Sequence, residues 1–303
     1  MNGWIILDKP IGLSSSQAVG AVKRVLRQNG YAVPRIGHGG TLDPLATGVL
    51  PIALGEATKL TGHMLNARKG YRFTIGFGVE TDTLDGEGEA VAYSAACPTI
   101  AALEQALGGF TGPIEQMPPA YSALKVDGRR AYELARAGQQ VELKARQVTI
   151  HRLVIDGAEA AAGSTEQGLA AATLAVDCSK GTYVRSLARD IARAVGSVGH
   201  VTMLRRTRAG PFTLDQAIPL DKLEELGQER QLEQALLPLI AGLDDIPALA
   251  LAPDQARLLR QGQRLIGIAA KQGLHLATDA SVPVALVEVA GPEVRVVRGF
   301  NLQ

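Results

Sequence analysis

The stretch Gly37-His38-Gly39-Gly40-Thr41-Leu42-Asp43-Pro44-Leu45-Ala46-Thr47-Gly48-Val49-Leu50-Pro51 sets a single carboxylate, Asp43, in a glycine-rich segment and follows it with proline. The glycines open backbone angles closed to other residues and let a large flat partner come close, while Pro44 drives Asp43 towards an extended conformation. A carboxylate presented in this way reads as a reactive group. On loop chemistry alone, a turn in which the Asp bonds its own backbone is the commoner use of such residues. What weighs towards chemistry lies elsewhere in the chain.

Two other groups stand where they could serve Asp43. Tyr71, Phe73, Ile75 and Phe77 alternate with smaller or polar residues, so they share one face of a strand, and Tyr71 at its mouth offers a ring for a base to stack on. A second strand, with Leu174, Val176 and Cys178 on one face, runs into Cys178-Ser179-Lys180-Gly181-Thr182, where a helix begins. Val184, Leu187, Ile191 and Val195 give that helix a buried stripe and Gly196 stops it. Arg185, Arg189 and Arg193 form a second stripe, in which Arg185 falls in the first turn. A cation there opposes the helix dipole, which implies a carboxylate partner. The acids of Glu80-Thr81-Asp82-Thr83-Leu84-Asp85-Gly86-Glu87-Gly88 miss the alternating spacing of an EF-hand and read as a polar loop.

The elements that must carry these groups are legible in outline. Trp4-Ile5-Ile6-Leu7 reads as a buried strand closed by the turn residues Asp8 to Gly12. Ser14 or Ser15 caps a helix with Val19, Val22 and Leu26 on its inner face, and Thr99 caps another carrying Leu103 and Leu107. Met117-Pro118-Pro119 forces extended chain, Asp127-Gly128 makes a turn, and 131–137 reads as helix. From Leu220 to Leu243 the pattern is helical, acidic and leucine-rich. Asp244-Asp245-Ile246-Pro247 marks a boundary, beyond which a short helix from Pro253 and a hairpin around Gly291-Pro292 form a small β-rich unit.

The totals set limits. A chain of 303 residues, 46% hydrophobic and 20% charged, has the composition of a globular protein with room for one large and one small domain. Cys97 and Cys178 fit neither a metal-binding pair nor a disulfide framework, the N-terminus lacks a signal-peptide pattern, and no uncharged run is long enough to span a membrane. The expected location is the cytoplasm. Net charge is only +1, yet 121–150 holds six basic against three acidic residues, and Arg205, Arg206 and Arg208 follow. An acidic segment, 214–245, with eight acids and two bases, masks them. Cations interleaved with Tyr121 and Tyr132 are what a nucleic-acid surface needs, because cations hold phosphates while rings stack on bases.

Taken together, Asp8 to Gly12, Gly37 to Pro51, Tyr71-Arg72, Thr81-Asp82-Thr83, Pro118 to Lys125, Gly128 to Tyr132, Cys178 to Arg185 and Leu204-Arg205-Arg206 resemble the bacterial tRNA pseudouridine synthase B (TruB) family, in a fixed order over the first two-thirds of the chain. The resemblance implies an α+β fold: a catalytic domain over 1–245 with a central mixed, mostly antiparallel sheet flanked by helices, and a PUA-like RNA-binding domain over 246–303. It implies isomerisation of uridine to pseudouridine at position 55 in the T loop of tRNA, by base flipping, with no cofactor and no metal. Asp43 would be the nucleophile, acting on C1′ or on the uracil ring. Arg185 would hold it ionised and aimed, and Tyr71 would stack on the base. His38 would help fill the space the flipped base leaves, while Tyr183 and Leu204 would line the uracil pocket. Gly40, Thr41 and Leu42, with Lys9, Lys125, Arg129 and Arg205, are the expected RNA contacts. The implied partner is the tRNA T-arm, with no membrane, no obligatory protein partner and nothing that demands more than a monomer. Rival readings are a non-catalytic RNA-binding or tRNA-folding protein, a guide-dependent synthase, whose partner-binding extensions are not seen here, and a glycosidase, which needs two flanking carboxylates.

Overall fold

The computed structural model describes residues 1–122, 124–126, 128–139, 143–161 and 168–302. The opening apolar run lies in the strand Gly3–Lys9, where Ile5 and Leu7 enter one core while Trp4 and Ile6 enter another. Side chains alternate between the two faces of a strand, so a continuous apolar run requires cover on both. The neighbouring strand Ala46–Leu54 divides in the same way, with Leu50, Ile52 and Leu54 on the first side and Val49 and Ala53 on the second.

Among the described residues the main sheet runs in the order Ile218–Pro219, Gly3–Lys9, Ala46–Leu54, Gly199–Ala209, Lys69–Phe77, Leu169–Cys178, Arg146–Ala160 and Gly112–Gln116. The first two strands are parallel, as are the third and fourth, and every other neighbouring pair is antiparallel. The helices Ser15–Gln28, Ile100–Leu107, Val184–Ala194 and Leu220–Gln228 bury their apolar stripes on one face. Ser14 caps the first of these, accepting from the Gln17 amide while Gln17 reaches back to the Ser14 amide, so two orphan N–H groups of the first turn are satisfied. The other face is covered by Leu60, Met64, Leu239 and Leu243, by Leu276 and Leu286 of a second sheet, and by Phe300 just after that sheet's strand Glu293–Gly299. That second sheet orders Ala248–Leu251, Gly273–Asp279, Val282–Ala290, Glu293–Gly299 and Leu265–Ile266, with the helix Pro253–Arg260 against it. The architecture is α+β, with a mixed, mostly antiparallel sheet, flanking helices and a β-rich C-terminal part.

One element differs from the sequence reading, and one was not part of it. The leucine-rich pattern of 220–243 is one α-helix, Leu220–Gln228, followed by two short 3-10 segments at Leu232–Ala235 and Leu239–Gly242. Arg230 takes a left-handed conformation (φ 59°) just after the helix, and Pro238 stands before the last segment, so a continuous helix is broken twice. The long strand Arg146–Ala160 carried no clean alternation, because its register shifts at Ile150/Arg152 and at Ile155/Gly157 move the side chains between faces. Asp127, expected in a turn, lies outside the described residues.

A close backbone approach in the sheet falls at Gly48, opposite Arg206 in the parallel pair, with φ of +99° and a carbonyl 2.2 Å from where a Cβ would stand. Gly48→Ala is therefore expected to lose about 2 kcal/mol or more of stability, since left-handed strain and a backbone clash act together. Gly37→Ala, with ordinary φ and open space around it, should stay within about 0.5 kcal/mol. Urea denaturation of the two variants checks the contrast.

Candidate active site

The Asp43 loop leaves the short strand Ile36–His38, turns, and re-enters the sheet as Ala46–Leu54, with which that strand pairs. The Ala46 amide donates to the Asp43 carbonyl at 3.0 Å, closing a turn whose second residue is Pro44, whose ring presets the required φ. Every flank of this turn is tied down. The Gly12 amide donates to the Pro44 carbonyl at 2.9 Å, and Lys9 Nζ donates to the same oxygen at 3.3 Å and to the Leu13 carbonyl at 2.6 Å. Ser15 Oγ donates to the Leu42 carbonyl and accepts from the Leu42 amide, at 3.1 and 2.8 Å. Arg206, 1% exposed, donates from Nη2 to the Gly40 carbonyl at 3.2 Å, from Nη1 to the Thr41 carbonyl at 3.1 Å, and from Nε to the Val49 carbonyl at 2.7 Å.

The glycines serve this packing. A Cβ on Gly39 would stand 2.8 Å from Met64 Cβ, so its missing side chain makes room for the protein's own interior; Gly40 alone of the three before Asp43 has a left-handed φ, +147°. The sequence reading of these glycines as space for a flat partner is replaced, at Gly39, by an internal contact.

Asp43 faces Arg185, as the position of a cation in a first helical turn implied. Arg185 Nε lies 3.0 Å from Asp43 Oδ2, and Arg185 Nη1 lies 3.1 Å from Asp85 Oδ2. Nη1 also donates to the Thr83 carbonyl at 2.8 Å and Nη2 to the Tyr121 carbonyl at 2.9 Å. The guanidinium is buried and so is Asp85, while the Asp43 side chain keeps 39% of its surface exposed. One carboxylate is thus a buried counter-charge and the other is available to solvent. The segment that supplies Asp85 is no ordinary polar loop: Leu84 adopts φ of 63°, rare for a bulky residue, and this turn brings the Thr83 carbonyl and the Asp85 carboxylate onto the same guanidinium nitrogen.

A cleft of about 330 Å³ opens beside Asp43, lined by Thr41, Leu42, Tyr71, Ser122, Leu124, Tyr183, Arg185 and Leu204 among others. Tyr71 stands opposite Arg206 in the strand pair, and burial pushes its phenol pKa up, with the Arg206 guanidinium acting against the rise. Burial likewise raises Tyr183. The Tyr183 backbone is fixed at the helix N-terminus by the buried Gln116, which accepts from its amide at 2.8 Å and donates to its carbonyl at 3.1 Å. His38 sits at the end of its short strand, with its imidazole pKa pushed down by burial and by Arg206. A smaller cavity of about 110 Å³ lies on the other side of the carboxylate, against Ile11, Thr47, Met203 and Leu204.

The structure therefore gathers Asp43, Tyr71, Arg185, Thr41, Leu42, Tyr183 and Leu204 around one cleft. Other expected RNA contacts are placed differently. Lys9, expected among the RNA contacts, is fully buried, with its ammonium committed to carbonyls of its own chain. Arg205 forms a two-pronged pair with Asp8, at 3.1 and 2.7 Å, and Arg208 pairs with Asp177 at 3.0 Å; with Arg206 buried against carbonyls, the basic run at 205–208 is engaged within the fold. Gly40 turns its carbonyl to Arg206. Arg129 is exposed in the hairpin of Lys125–Val126 with Arg129–Arg130, and the Lys125 side chain lies outside the described residues. Sequence reading missed Asp85 and Arg206 as parts of the site. Thr81-Asp82-Thr83 stood beside the first among the matched motifs, whereas Arg206 was one cation of a cluster with nothing to single it out.

The sequence matches the TruB family pseudouridylate synthase N-terminal domain over residues 23–184 and the tRNA pseudouridylate synthase B C-terminal domain over residues 185–246. A tRNA pseudouridine synthase B of Novosphingobium aromaticivorans is 61% identical over 303 residues, covering 100% of this chain and 98% of the relative. One of Zymomonas mobilis is 56% identical over 301 residues, covering 99% and 96%. Among solved structures, a Cbf5-Nop10-Gar1 complex contains a chain with a TM-score of 0.74 and 26% identity, covering 99% of this chain and 85% of that one. An H/ACA RNP bound to a substrate RNA containing 2′-deoxyuridine contains another with the same TM-score at 23% identity, which shows likeness of fold.

Burial of Lys9 lowers its pKa from 10.5 to about 8, with Asp43 opposing the change. Between those values the unfolded chain binds the proton and the folded one releases it, so the Lys9 contribution to stability rises as pH increases from about 8 towards 10.5 and is absent below that window. Compared with Lys9→Met, the wild-type protein should gain stability across this range with a slope of at most about 1.4 kcal/mol per pH unit. Denaturant melts of both proteins at pH 7 to 10.5 test it; parallel curves would refute the buried, neutralising lysine.

Proposed function

The chain belongs to the TruB family of pseudouridylate synthases and is an isomerase that forms pseudouridine in tRNA; from that premise we propose that it acts on the uridine at position 55 of the T loop, with Asp43 as the nucleophile. The observation that carries this reading is the Asp43 carboxylate, half open to a cleft of about 330 Å³ and ion-paired at 3.0 Å to a buried arginine. An opposite charge at that distance favours the ionised form a nucleophile requires.

The reaction conserves atoms. The N1–C1′ bond breaks, the uracil turns while held in the cleft, C5 bonds to C1′, and the proton that leaves C5 is matched by one gained at N1. Asp43 acts on C1′ or on the uracil ring. Arg185 meets Asp43 through Nε while its Nη groups are anchored to Asp85, Thr83 and Tyr121, so it fixes the direction of the carboxylate. Tyr71 stacks on the base and His38 fills the vacated position in the RNA, which offsets part of the few kcal/mol of stacking lost on flipping. Arg129 and Lys125 contact the T-arm backbone, and 246–303 forms a PUA-like unit for the rest of the tRNA. On this reading the protein works as a monomer without an obligatory protein partner, in the cytoplasm.

Asp43→Asn should keep tRNA binding within a few-fold and lower turnover by ~10³-fold or more, read as tritium release from C5-labelled tRNA transcript, with a transcript lacking the T-loop uridine as control. Retained turnover would sink the assignment of Asp43. Arg185→Lys should cost ~10²-fold in kcat/KM with the charge preserved, because a single ammonium cannot hold Asp43 and Asp85 in two separate directions. Near-wild-type kinetics for that variant would show that direction is not what Arg185 supplies.

A further inference from the structure

The cleft beside Asp43 contains one polar group whose presence nothing so far explains. Ser122 is 4% exposed, and its hydroxyl, sealed from solvent, has no hydrogen-bond partner of ordinary geometry among the described residues. Its backbone is fully occupied: the Ser122 amide donates to the Ala120 carbonyl at 3.0 Å, and its carbonyl accepts from the Tyr132 amide at 3.0 Å. The adjoining residue Tyr121 gives its carbonyl to Arg185, so the segment is locked to the same guanidinium that aims Asp43. The side chain is thus held rigidly in the cleft wall with its one polar atom uncommitted.

A buried hydroxyl with no partner costs about 1–3 kcal/mol, and native interiors keep few of them. Its neighbours in the wall do not relieve it. Thr182 commits its hydroxyl to the Ser179 carbonyl at 3.0 Å, and the Arg185 donors are held as described. Leu42, Leu124 and Leu204 are apolar, and the Tyr183 phenol is near enough for Ser122 to moderate the rise in its pKa without closing a bond of normal geometry. A cleft walled by leucines and aromatic rings, with a few polar groups set among them, is how a site reads the edge of a flat heterocycle.

We propose that Ser122 is a uracil-contact residue, whose hydroxyl hydrogen-bonds an edge oxygen of the flipped base and so fixes the ring's orientation beside Asp43. The proposal rests on the reading of this cleft as the seat of the target uridine. The hydroxyl gains a full partner when the base is present, and a base lacking the matching oxygen leaves it buried without one, the condition under which binding sites discriminate most strongly.

The test crosses the residue with the atom. Wild-type protein and Ser122→Ala are compared in single-turnover tritium release from C5-labelled T-arm hairpins carrying uridine, 2-thiouridine or 4-thiouridine at the target position, sulfur being a weaker acceptor than oxygen. Ser122→Ala is expected to slow uridine by about tenfold. One of the two thio substrates should be slowed by about that factor with wild type and by almost nothing further with Ser122→Ala, and that substrate identifies the oxygen contacted. A purely structural role would slow all three substrates equally. Equal factors for all three, or an alanine variant as fast as wild type, overturn the proposal. If Ser122→Ala does not fold, Ser122→Cys, close in shape with a weaker donor, carries the same comparison. Asp43→Asn on the uridine hairpin separates the two readings: loss of turnover there with no coupling at Ser122 rejects the contact alone, whereas turnover there rejects the seat itself and the contact with it.

Discussion

A buried guanidinium cannot be left without counter-charge. Arg185 is 7% exposed, and an arginine withdrawn from water without partners costs several kcal/mol, more than most single interactions in a fold return. Its four bonds draw together Asp43, the turn at Thr83 and Asp85, the extended segment at Tyr121, and the helix that begins at Val184. These pieces are far apart in sequence, and the guanidinium is where they meet. The position of the exposed carboxylate follows from the neutralisation of the arginine, and the second carboxylate, Asp85, ensures that the arginine does not depend on Asp43 to remain in place.

The loop that presents Asp43 is stiff for related reasons. A segment rich in glycine has much conformational entropy to lose, of order 1–2 kcal/mol per residue. Arg206, Ser15, Gly12 and Lys9 each bond its backbone, so that loss is met in folding and not at the moment a substrate arrives. Two of the four are cations used without an ion-pair partner of their own on the loop. They hold carbonyl oxygens instead, which places positive charge beneath the carboxylate while leaving its outer edge open.

Much of this was legible in the residues. Strict alternation gave the Lys69–Phe77 strand, helical spacing gave the Val184–Ala194 stripe, and the misfit of Arg185 with its helix dipole pointed to a carboxylate before any coordinates did. What stayed hidden was mostly pairing between distant segments. The Glu80 to Gly88 acids look solvated in sequence because acids usually are, yet Glu80 and Asp85 are buried against Arg193 and Arg185. Arg205, Arg206 and Arg208 look like one basic patch, yet alternation along Gly199–Ala209 and the two neighbouring strands send them to an aspartate, to three carbonyls and to another aspartate. Local charge counts do not carry that information, because it depends on which strands become neighbours.

Trp4 shows a different kind of coupling. Its ring meets Phe212 at 5.5 Å between centroids, its Nε1 donates to the Leu239 carbonyl at 3.1 Å, and the core it belongs to continues into Leu276 and Leu286 of the C-terminal sheet and into Phe300. A unit joined by a tether alone sweeps out a volume, whereas one that shares a core has a single pose. The two sheets are therefore set like the jaws of a fixed gauge, and a ligand long enough to touch both is accepted or refused on its span and bend before any of its individual groups are read.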